Sequence, residues 1–250
     1  FLAQQQGAPS VDQTRLRERQ LDSIRTLLRD AEAYQAAHAA YEKDRSLPRP
    51  RQDVVLASLG PALRGEQPVL FRANRASEIR QAIDFAREAK VKPIILGGRD
   101  AWMVTDLLKQ HDVPVILTQV RALPSREDDP YDVNYTTPAR LHAAGVRFAI
   151  ASGDDGAHVR DLPHIAGMAV AFGLPKEAAL RAVTLAPAQI FGIADRVGTL
   201  EPGKTANLVV TDGDLFEART KALHLFIDGR PVPLSNRHED LYQQFRERVK

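Results

Sequence analysis

The sequence of 250 residues contains no cysteine, so disulfide bonds and thiolate metal sites are excluded. It also lacks any apolar run approaching the roughly 20 residues that a membrane-spanning helix needs. A formal net charge of only +2 gives no sign of a surface built to bind nucleic acid or membranes. These absences leave both the cytoplasm and the periplasm open as the location. Because the sequence begins at Phe1 rather than Met, any initiator or signal peptide is expected to lie outside it.

The amino-terminal part of the chain has the pattern of a long helix. Residues 11–44 contain neither glycine nor proline. Pro48 and Pro50 end this pattern, and residues 54–63 are predicted to form one short helix. Within the long helix, apolar side chains recur at steps of three and four, the period of one helix face, at Leu21, Ile24, Leu28, Ala31, Tyr34, Ala37 and Tyr41.

The period of the pattern changes from helical to extended after residue 67. Short apolar runs rich in Val, Ile and Leu now alternate with amphipathic segments. Such alternation predicts parallel strands joined by helices, an α/β fold. A long acidic loop at residues 123–135 precedes the last helix of the series. The predicted strands are 68–73, 92–96, 113–118 and 146–151, and the predicted helices are 76–90, 100–110 and 137–144.

Two hairpin-like stretches follow towards the carboxyl end. The first turns at Glu201-Pro202-Gly203-Lys204, where proline presets one backbone dihedral and glycine accepts the positive dihedral that follows. Leu208-Val209-Val210 comes next and is predicted to be a buried strand. The second stretch, Leu225-Phe226-Ile227, is a predicted strand that enters an Asp-Gly turn at Asp228-Gly229.

These elements, in this order, resemble the carboxyl-terminal end of the amidohydrolase superfamily. The resemblance rests on T-x-x-P-A at residues 184–188, on V-G-x-L-x-P-G-K-x-A-x-L-V-V at residues 197–210, and on Asp-Gly-Arg at residues 228–230. It is strong over residues 148–232 and weak over residues 68–119. Imidazolonepropionase-like and dipeptidase-like members of the superfamily have the most similar tail.

The family's architecture implies the second half of a TIM-like (β/α)8 barrel, because a closed barrel needs eight strands and only four precede the tail. Its mouth would be assembled from the loops after residues 73, 96, 118 and 152. The N-terminal half, supplied by a second chain, an upstream segment or another subunit, is the expected partner, and an oligomer is expected. The implied domains are a helical lead-in with barrel helices at 1–67, the half barrel at 68–195, β-sandwich strands at 196–234 and a carboxyl-terminal helix at 235–250.

The resemblance also implies a divalent metal, in the first instance zinc, whose bound water would act as the nucleophile. The family's histidine on strand five falls at Arg72, which cannot ligate a metal, and its histidine on strand six falls at Gly97 or Gly98. The family's aspartate on strand eight falls at Gly153, and a one-residue bulge would bring Asp154 to that place. Asp154 is therefore the metal ligand and catalytic residue predicted in this chain, with the other ligands upstream or lost.

Further side chains are candidates for binding the substrate. Arg72 and Asn74, at the end of a predicted strand, are suited to bidentate binding of a substrate carboxylate. Alternatively, Arg72 pairs with a buried acid and fills the space of the lost metal. His158 lies four residues after Asp154 and is a candidate for the same pocket, although a lone histidine in a loop is more often exposed. Asp154 and Asp155 also have a structural interpretation, as a turn or cap.

Two functions from different classes follow from these residues. The first is hydrolysis of a C–N bond in a small molecule, a non-peptide amide or a cyclic amide, by metal-activated water. The alternative is a catalytically degenerate homologue that binds a ligand or supports an active partner without hydrolysing anything. The residues at positions 72 and 97 favour the alternative, whereas the family resemblance favours the enzyme.

Overall fold

A computed structural model of the chain describes residues 11–153 and 156–246. The chain divides into two compact units. The first unit contains residues 1–69 and 83–93, and the second contains residues 70–82 and 94–250. Within the described residues, no helix is both long enough and apolar enough to cross a membrane.

The bounds of the elements agree with the sequence pattern at most places. The α-helices of the described residues are α1 (Val11–Lys43), α2 (Val54–Ser58), α3 (Gly60–Leu63), α4 (Ala76–Glu88), α5 (Thr105–Gln110), α6 (Val133–Ala144), α7 (Leu162–Ala171), α8 (Lys176–Val183), α9 (Leu185–Ile190) and α10 (Arg237–Arg246). The strands are β1 (Val69–Ala73), β2 (Pro93–Gly97), β3 (Val115–Leu117), β4 (Phe148–Ile150), β5 (Leu208–Thr211), β6 (Ala222–Ile227) and β7 (Arg230–Val232). Short 3-10 helices span Ala101–Met103 and Gly156–Asp161.

The first unit is built on α1, which confirms the long helix predicted from the sequence. Ala31 is fully buried on this helix, but Ile24, predicted on the same buried face, is 44% exposed. The covered stripe is displaced because Arg25 occupies part of it. The Arg25 guanidinium lies 5.4 Å from the Phe85 ring centroid, and its Nε donates to Glu88 Oε1 at 2.9 Å.

Two short helices, α2 and α3, replace the one predicted over residues 54–63. Asp53 caps α2, since its Oδ1 accepts hydrogen bonds from the backbone N–H groups of Val55 and Leu56 at 2.9 and 3.0 Å. Pro61 then lies in the first turn of α3. Proline favours that place because it has no N–H to donate to a preceding helical turn, so a new helix starts there.

The second unit contains a four-stranded sheet in the order β1-β2-β3-β4. Strand β3 pairs in parallel with both β2 and β4, which confirms the predicted parallel α/β arrangement. Leu96, Ile116 and Ala149 stand in one row across the sheet. Ile116 and Ala149 form a buried cluster with Ile94 and with Ile190 of α9. We call the side of the sheet that carries this cluster the Ile116 face.

The two faces of this sheet differ in how completely they are covered. On the Ile116 face, Leu96 and Ala151 near the carboxyl ends of the strands are only partly buried. On the opposite face, the strand residues of β3 and β4 and the second half of β2 are buried, each less than a tenth exposed, at Ile95, Gly97, Val115, Leu117, Phe148 and Ile150. Open space therefore lies on the Ile116 face, at the carboxyl end of the strands.

The acidic loop is shorter than predicted, because α6 begins at Val133 rather than at residue 137. Pro138 lies inside this helix, whereas sequence rules place proline in the first turn. The hydroxyls of Thr136 and Thr137 donate to the Val133 carbonyl at 3.3 and 2.7 Å and hold the turn that precedes the proline. Gly145 ends the helix at φ 72°, directly after the helix predicted over residues 137–144.

The carboxyl-terminal strands form a separate antiparallel sheet in the order β5-β6-β7. The turn between β6 and β7 is the predicted Asp-Gly turn, with φ 52° at Asp228 and 73° at Gly229. The strand predicted at residues 208–210 is confirmed within β5, but its predicted burial is wrong, because Val209 is 49% exposed and Val210 is 44% exposed. β-Branched residues favour an extended backbone, but burial also needs a second layer against the strand.

Candidate active site

The loops that follow the strands of the parallel sheet meet at one edge, as the sequence predicted. Gly98 N donates to Ala73 O at 2.8 Å, which joins the loops after β1 and β2. Thr118 N donates to Gly97 O at 3.4 Å, which joins the loops after β2 and β3. A Cβ built on Gly153, in the loop after β4, would lie 3.6 Å from Thr118 O. We call this part of the molecule the carboxyl edge.

Arg72 lies on the Ile116 face, one residue before the end of β1. The bond from Gly98 N to Ala73 O sets Ala73 opposite Gly97, so Arg72 stands opposite Leu96 in the parallel register. Arg72 is exposed. Its two alternative roles, binding a substrate carboxylate or pairing with an acid in the place of a lost metal, both stay predictions.

The Asn74 side chain is directed to a different place from Arg72. Its Oδ1 atom is buried and has no hydrogen-bond partner among the described residues. A Cβ built on Gly97 would lie only 2.4 Å from that oxygen. Gly97 shares its row with Leu117, on the face opposite the Ile116 face. The structure therefore places the two predicted carboxylate-binding side chains on different sides of the sheet.

The described residues do not fit a metal centre. Arg72 offers no lone pair to a metal, and the space beside Gly97 is taken by Asn74. Nowhere in residues 11–153 and 156–246 do three or more His, Asp or Glu side chains form a group that could hold a metal ion. Asp154 and Asp155 lie outside the described residues, so the role of Asp154 as ligand and catalytic residue stays a prediction.

His158 lies in the 3-10 helix that follows β4 and is exposed. Its Nδ1 is 3.5 Å from Asp161 Oδ2. Arg121, from the loop after β3, donates from Nη2 to the same oxygen at 3.0 Å. The hydrogen bond from Arg121 is the largest cause that lowers the pKa of Asp161, and His158 adds a smaller effect. These contacts link His158 to two loops of the carboxyl edge but leave it at the surface.

Sequence reasoning missed a buried carboxylate at this edge, Asp100, which is 3% exposed. Arg126 binds it with two hydrogen bonds, Nη1 to Oδ2 at 3.0 Å and Nη2 to Oδ1 at 3.3 Å. Arg126 Nε also donates to Asp129 Oδ1 at 3.0 Å. The hydrogen bond with Asp100 is the largest cause that raises the pKa of Arg126. The available sequence signal was one arginine within the acidic run SREDD, residues 125–129.

Comparisons with known proteins agree on one family. The family model described as "Amidohydrolase family" matches residues 71–233, well over half of the chain. Among curated proteins, the chain is 39% identical over 72 residues to amidohydrolase tasK of Hapsidospora irregularis. That match covers 27% of this chain and 7% of the other protein.

Solved structures with the same fold are also longer than this chain. An amidohydrolase from Thermotoga maritima MSB8 superposes with a TM-score of 0.77 at 26% identity, over 85% of this chain and 55% of that chain. A prolidase complexed with N-methylphosphonate-L-proline has a TM-score of 0.54 at 19% identity, over 71% of this chain and 47% of that chain. The chain thus spans about half the length of these solved relatives. Because the family model extends from β1 through the carboxyl-terminal sheet, the chain belongs to the amidohydrolase family.

Proposed function

We propose that the protein hydrolyses a C–N bond, in a non-peptide amide or a cyclic amide, and that its small substrate carries a carboxylate. The observation that carries this proposal is the place of Arg72. It is an exposed guanidinium at the carboxyl end of β1, on the open side of a parallel sheet of the amidohydrolase family. Active sites of barrel enzymes lie at this end of the strands, and arginine matches a carboxylate with two parallel hydrogen bonds.

His158 is assigned to the same site with a smaller role. Asn74 Oδ1 is buried on the opposite side of the sheet from Arg72, so Asn74 is assigned no contact with the substrate. His158 lies beside Asp161 at the opening of the loop that follows β4. There it is suited to contact the part of the substrate that projects from the site.

Amidohydrolases usually use a divalent metal that lowers the pKa of a bound water and so makes it nucleophilic. The described residues by themselves do not fit such a metal. We assign Asp154 as the ligand and proton acceptor that this chain contributes. The remaining ligands are assigned to the N-terminal half of the catalytic domain.

We also propose that this chain is the second half of a (β/α)8 barrel, with β5–β7 contributing to a β-sandwich. Strands β1 and β4 end the sheet of the described residues. A groove of about 170 Å³ beside β4 is lined by apolar residues such as Phe148 and Ile190 and by polar ones such as Arg147 and Arg181. The N-terminal half, as upstream segment or second subunit, is the proposed occupant of this side.

The test compares each substrate with a neutral isostere. The assay follows hydrolysis of N-acyl amino acids and cyclic amides that bear a carboxylate, beside the matching carboxamides. For Arg72→Lys, KM for carboxylate substrates should rise about 10- to 100-fold, because hydrogen bonds to charged groups contribute about 1.5–3 kcal/mol. KM for the carboxamides should change little.

Arg64→Lys is the matched control, because Arg64 makes a two-pronged contact with Glu66 at 2.7 and 2.8 Å on an exposed surface. It should leave both substrate series unchanged. Equal effects of Arg72→Lys on carboxylates and carboxamides would contradict the assigned role. If the wild-type protein binds the carboxylates but hydrolyses none of them, the second candidate holds, a degenerate homologue.

A further inference from the structure

We propose that Arg126 is a positioning residue of the candidate active site, an inference that rests on the proposed function. It holds the loop after β3, residues 118–132, in one arrangement across the carboxyl edge. We call this loop the rim. Through the rim, Arg126 fixes Arg121, and Arg121 in turn holds Asp161 and the segment that carries His158. Arg126 thereby sets how tightly the site holds its substrate without touching the substrate itself.

The contacts of Arg126 and Asp100 join three of the loops at the carboxyl edge. Arg126 belongs to the rim, after β3, and Asp100 belongs to the segment after β2. Asp100 Oδ2 accepts a hydrogen bond from Ala76 N at 3.3 Å, and Asp100 N donates to Asn74 O at 2.8 Å, both on the segment after β1. Asp100 therefore joins its own loop to the loops after β1 and β3, through its backbone N–H and its buried carboxylate.

Burial makes this carboxylate dependent on Arg126. The Asp100 side chain is 4% exposed, and a charge this far from water must be paired to be tolerated. The other nearby cation, Arg99, has its Nε 3.8 Å from Asp100 Oδ1, and that Nε makes no hydrogen bond within the described residues. Arg126 is consequently the residue that neutralises Asp100 with good geometry, and its loss would leave the rim without its main attachment.

The rim has a second, independent attachment close to its start. Asn134, which is 3% exposed on α6, donates from Nδ2 to the carbonyl oxygens of Ala122 and Leu123, both at 3.0 Å. Loss of the Arg126 contacts should therefore release residues 124–132 first. The Asn134 bonds lie between this segment and Arg121, so the 3.0 Å bond of Arg121 to Asp161 should weaken less than the contacts of residues 124–132.

The first experiment measures hydrogen–deuterium exchange of the whole protein without substrate. The variants are Arg126→Met, Arg126→Lys and Asp100→Asn. Arg64→Met is the control, because Arg64 also makes two hydrogen bonds to one carboxylate, that of Glu66, within the first unit. In Arg126→Met, amides of residues 124–132 should exchange about tenfold faster or more, while amides of β2 and α6 stay protected. Arg126→Lys should be intermediate, and the control should match the wild type.

The second experiment measures kinetics on a carboxylate-bearing N-acyl amino acid. In Arg126→Met, KM should rise about tenfold while kcat changes less than about threefold, and Arg126→Lys should recover part of the loss. A purely structural role would lower the active fraction, so that kcat falls and KM stays constant. Asp100→Asn removes the buried charge and keeps its shape, so it provides the same test if Arg126→Met fails to fold.

The two experiments separate failure of this inference from failure of the proposed function. If the wild-type protein hydrolyses no amide, the proposed function fails. Binding of N-acetyl amino acids, measured by calorimetry, then replaces kinetics, and weaker binding by Arg126→Met still supports the positioning role. Unchanged exchange in residues 124–132, or a fall in kcat with constant KM, would overturn it.

Discussion

Gly97→Ala is expected to destabilise the protein through two separable effects. Gly97 has φ +111°, a conformation that side chains rarely adopt. Strain of this kind costs about 1–3 kcal/mol. A new Cβ would also lie 2.4 Å from Asn74 Oδ1 and 3.1 Å from the backbone oxygen of Ala73. The Asn74 side chain can rotate away, but the Ala73 carbonyl belongs to β1 and can shift only with the strand.

Two other glycines separate these effects. Gly192 has φ +70° but nothing within 4 Å of an added Cβ, so Gly192→Ala should show the conformational cost alone, about 1 kcal/mol. Gly156 has neither the positive φ nor a close neighbour, so Gly156→Ala should change stability by less than about 0.5 kcal/mol. Gly97→Ala should exceed both, at about 2–3 kcal/mol.

Calorimetry of thermal unfolding gives the Tm of the wild type and of the three variants, Gly97→Ala, Gly192→Ala and Gly156→Ala. A cost of about 2–3 kcal/mol corresponds to a Tm lower by about 5–10 °C for a chain of this size. Adding Asn74→Ala to Gly97→Ala should recover part of the loss, because it removes the nearer of the two contacts. Equal losses for Gly97→Ala and Gly192→Ala, with no recovery in the double variant, would refute the contact geometry. The result bears on function, since position 97 is where the family resemblance expects a histidine ligand.

Two further predictions concern carboxylates. The pKa of Asp214 is lowered, chiefly by the side-chain hydrogen bond from Lys176 and then by the backbone of Phe216. The unfolded value is about 4, so the stabilisation is present above pH 4 and lost as pH falls through the lower folded value. The Tm difference between wild type and Asp214→Asn should therefore shrink below about pH 4, and a constant difference down to pH 3 would contradict it. Asp154→Asn should lower kcat about 10²- to 10⁴-fold, as expected for loss of a catalytic proton acceptor, whereas unchanged turnover would leave Asp154 a turn residue.

Much of the fold follows from local pattern, because strands and helices are dictated by periodicity and by turn residues. The strands after residue 67, the cap at Gly145 and the Asp228-Gly229 turn were all predictable on that basis. The exposure of individual side chains was not predictable in this way, because it depends on which neighbouring layer of structure covers each face. Ile24 and Val209 are apolar residues in regular elements, yet both are more than two-fifths exposed.

The candidate site was predictable only where strand ends determine it. The place of Arg72 near the end of a strand was predictable from the sequence and the family resemblance, whereas its role in the site stays a prediction. The pair of Asp100 and Arg126 could not be found, because 26 residues separate its members and only the folded loops bring them within 3.0 Å. Asn74 was selected correctly as a strand-end residue, but its side-chain direction depends on the missing side chain at Gly97.

The most direct test of the central claim is hydrolysis by this chain together with its proposed N-terminal half, before and after removal of metal. The assay uses carboxylate-bearing N-acyl amino acids and cyclic amides, with metal content measured on the same samples. If the proposed function holds, hydrolysis should be lost on chelation and restored by zinc, with stoichiometric metal in the active samples. If protein that carries stoichiometric metal hydrolyses no substrate of the panel, the proposed amide hydrolysis is contradicted.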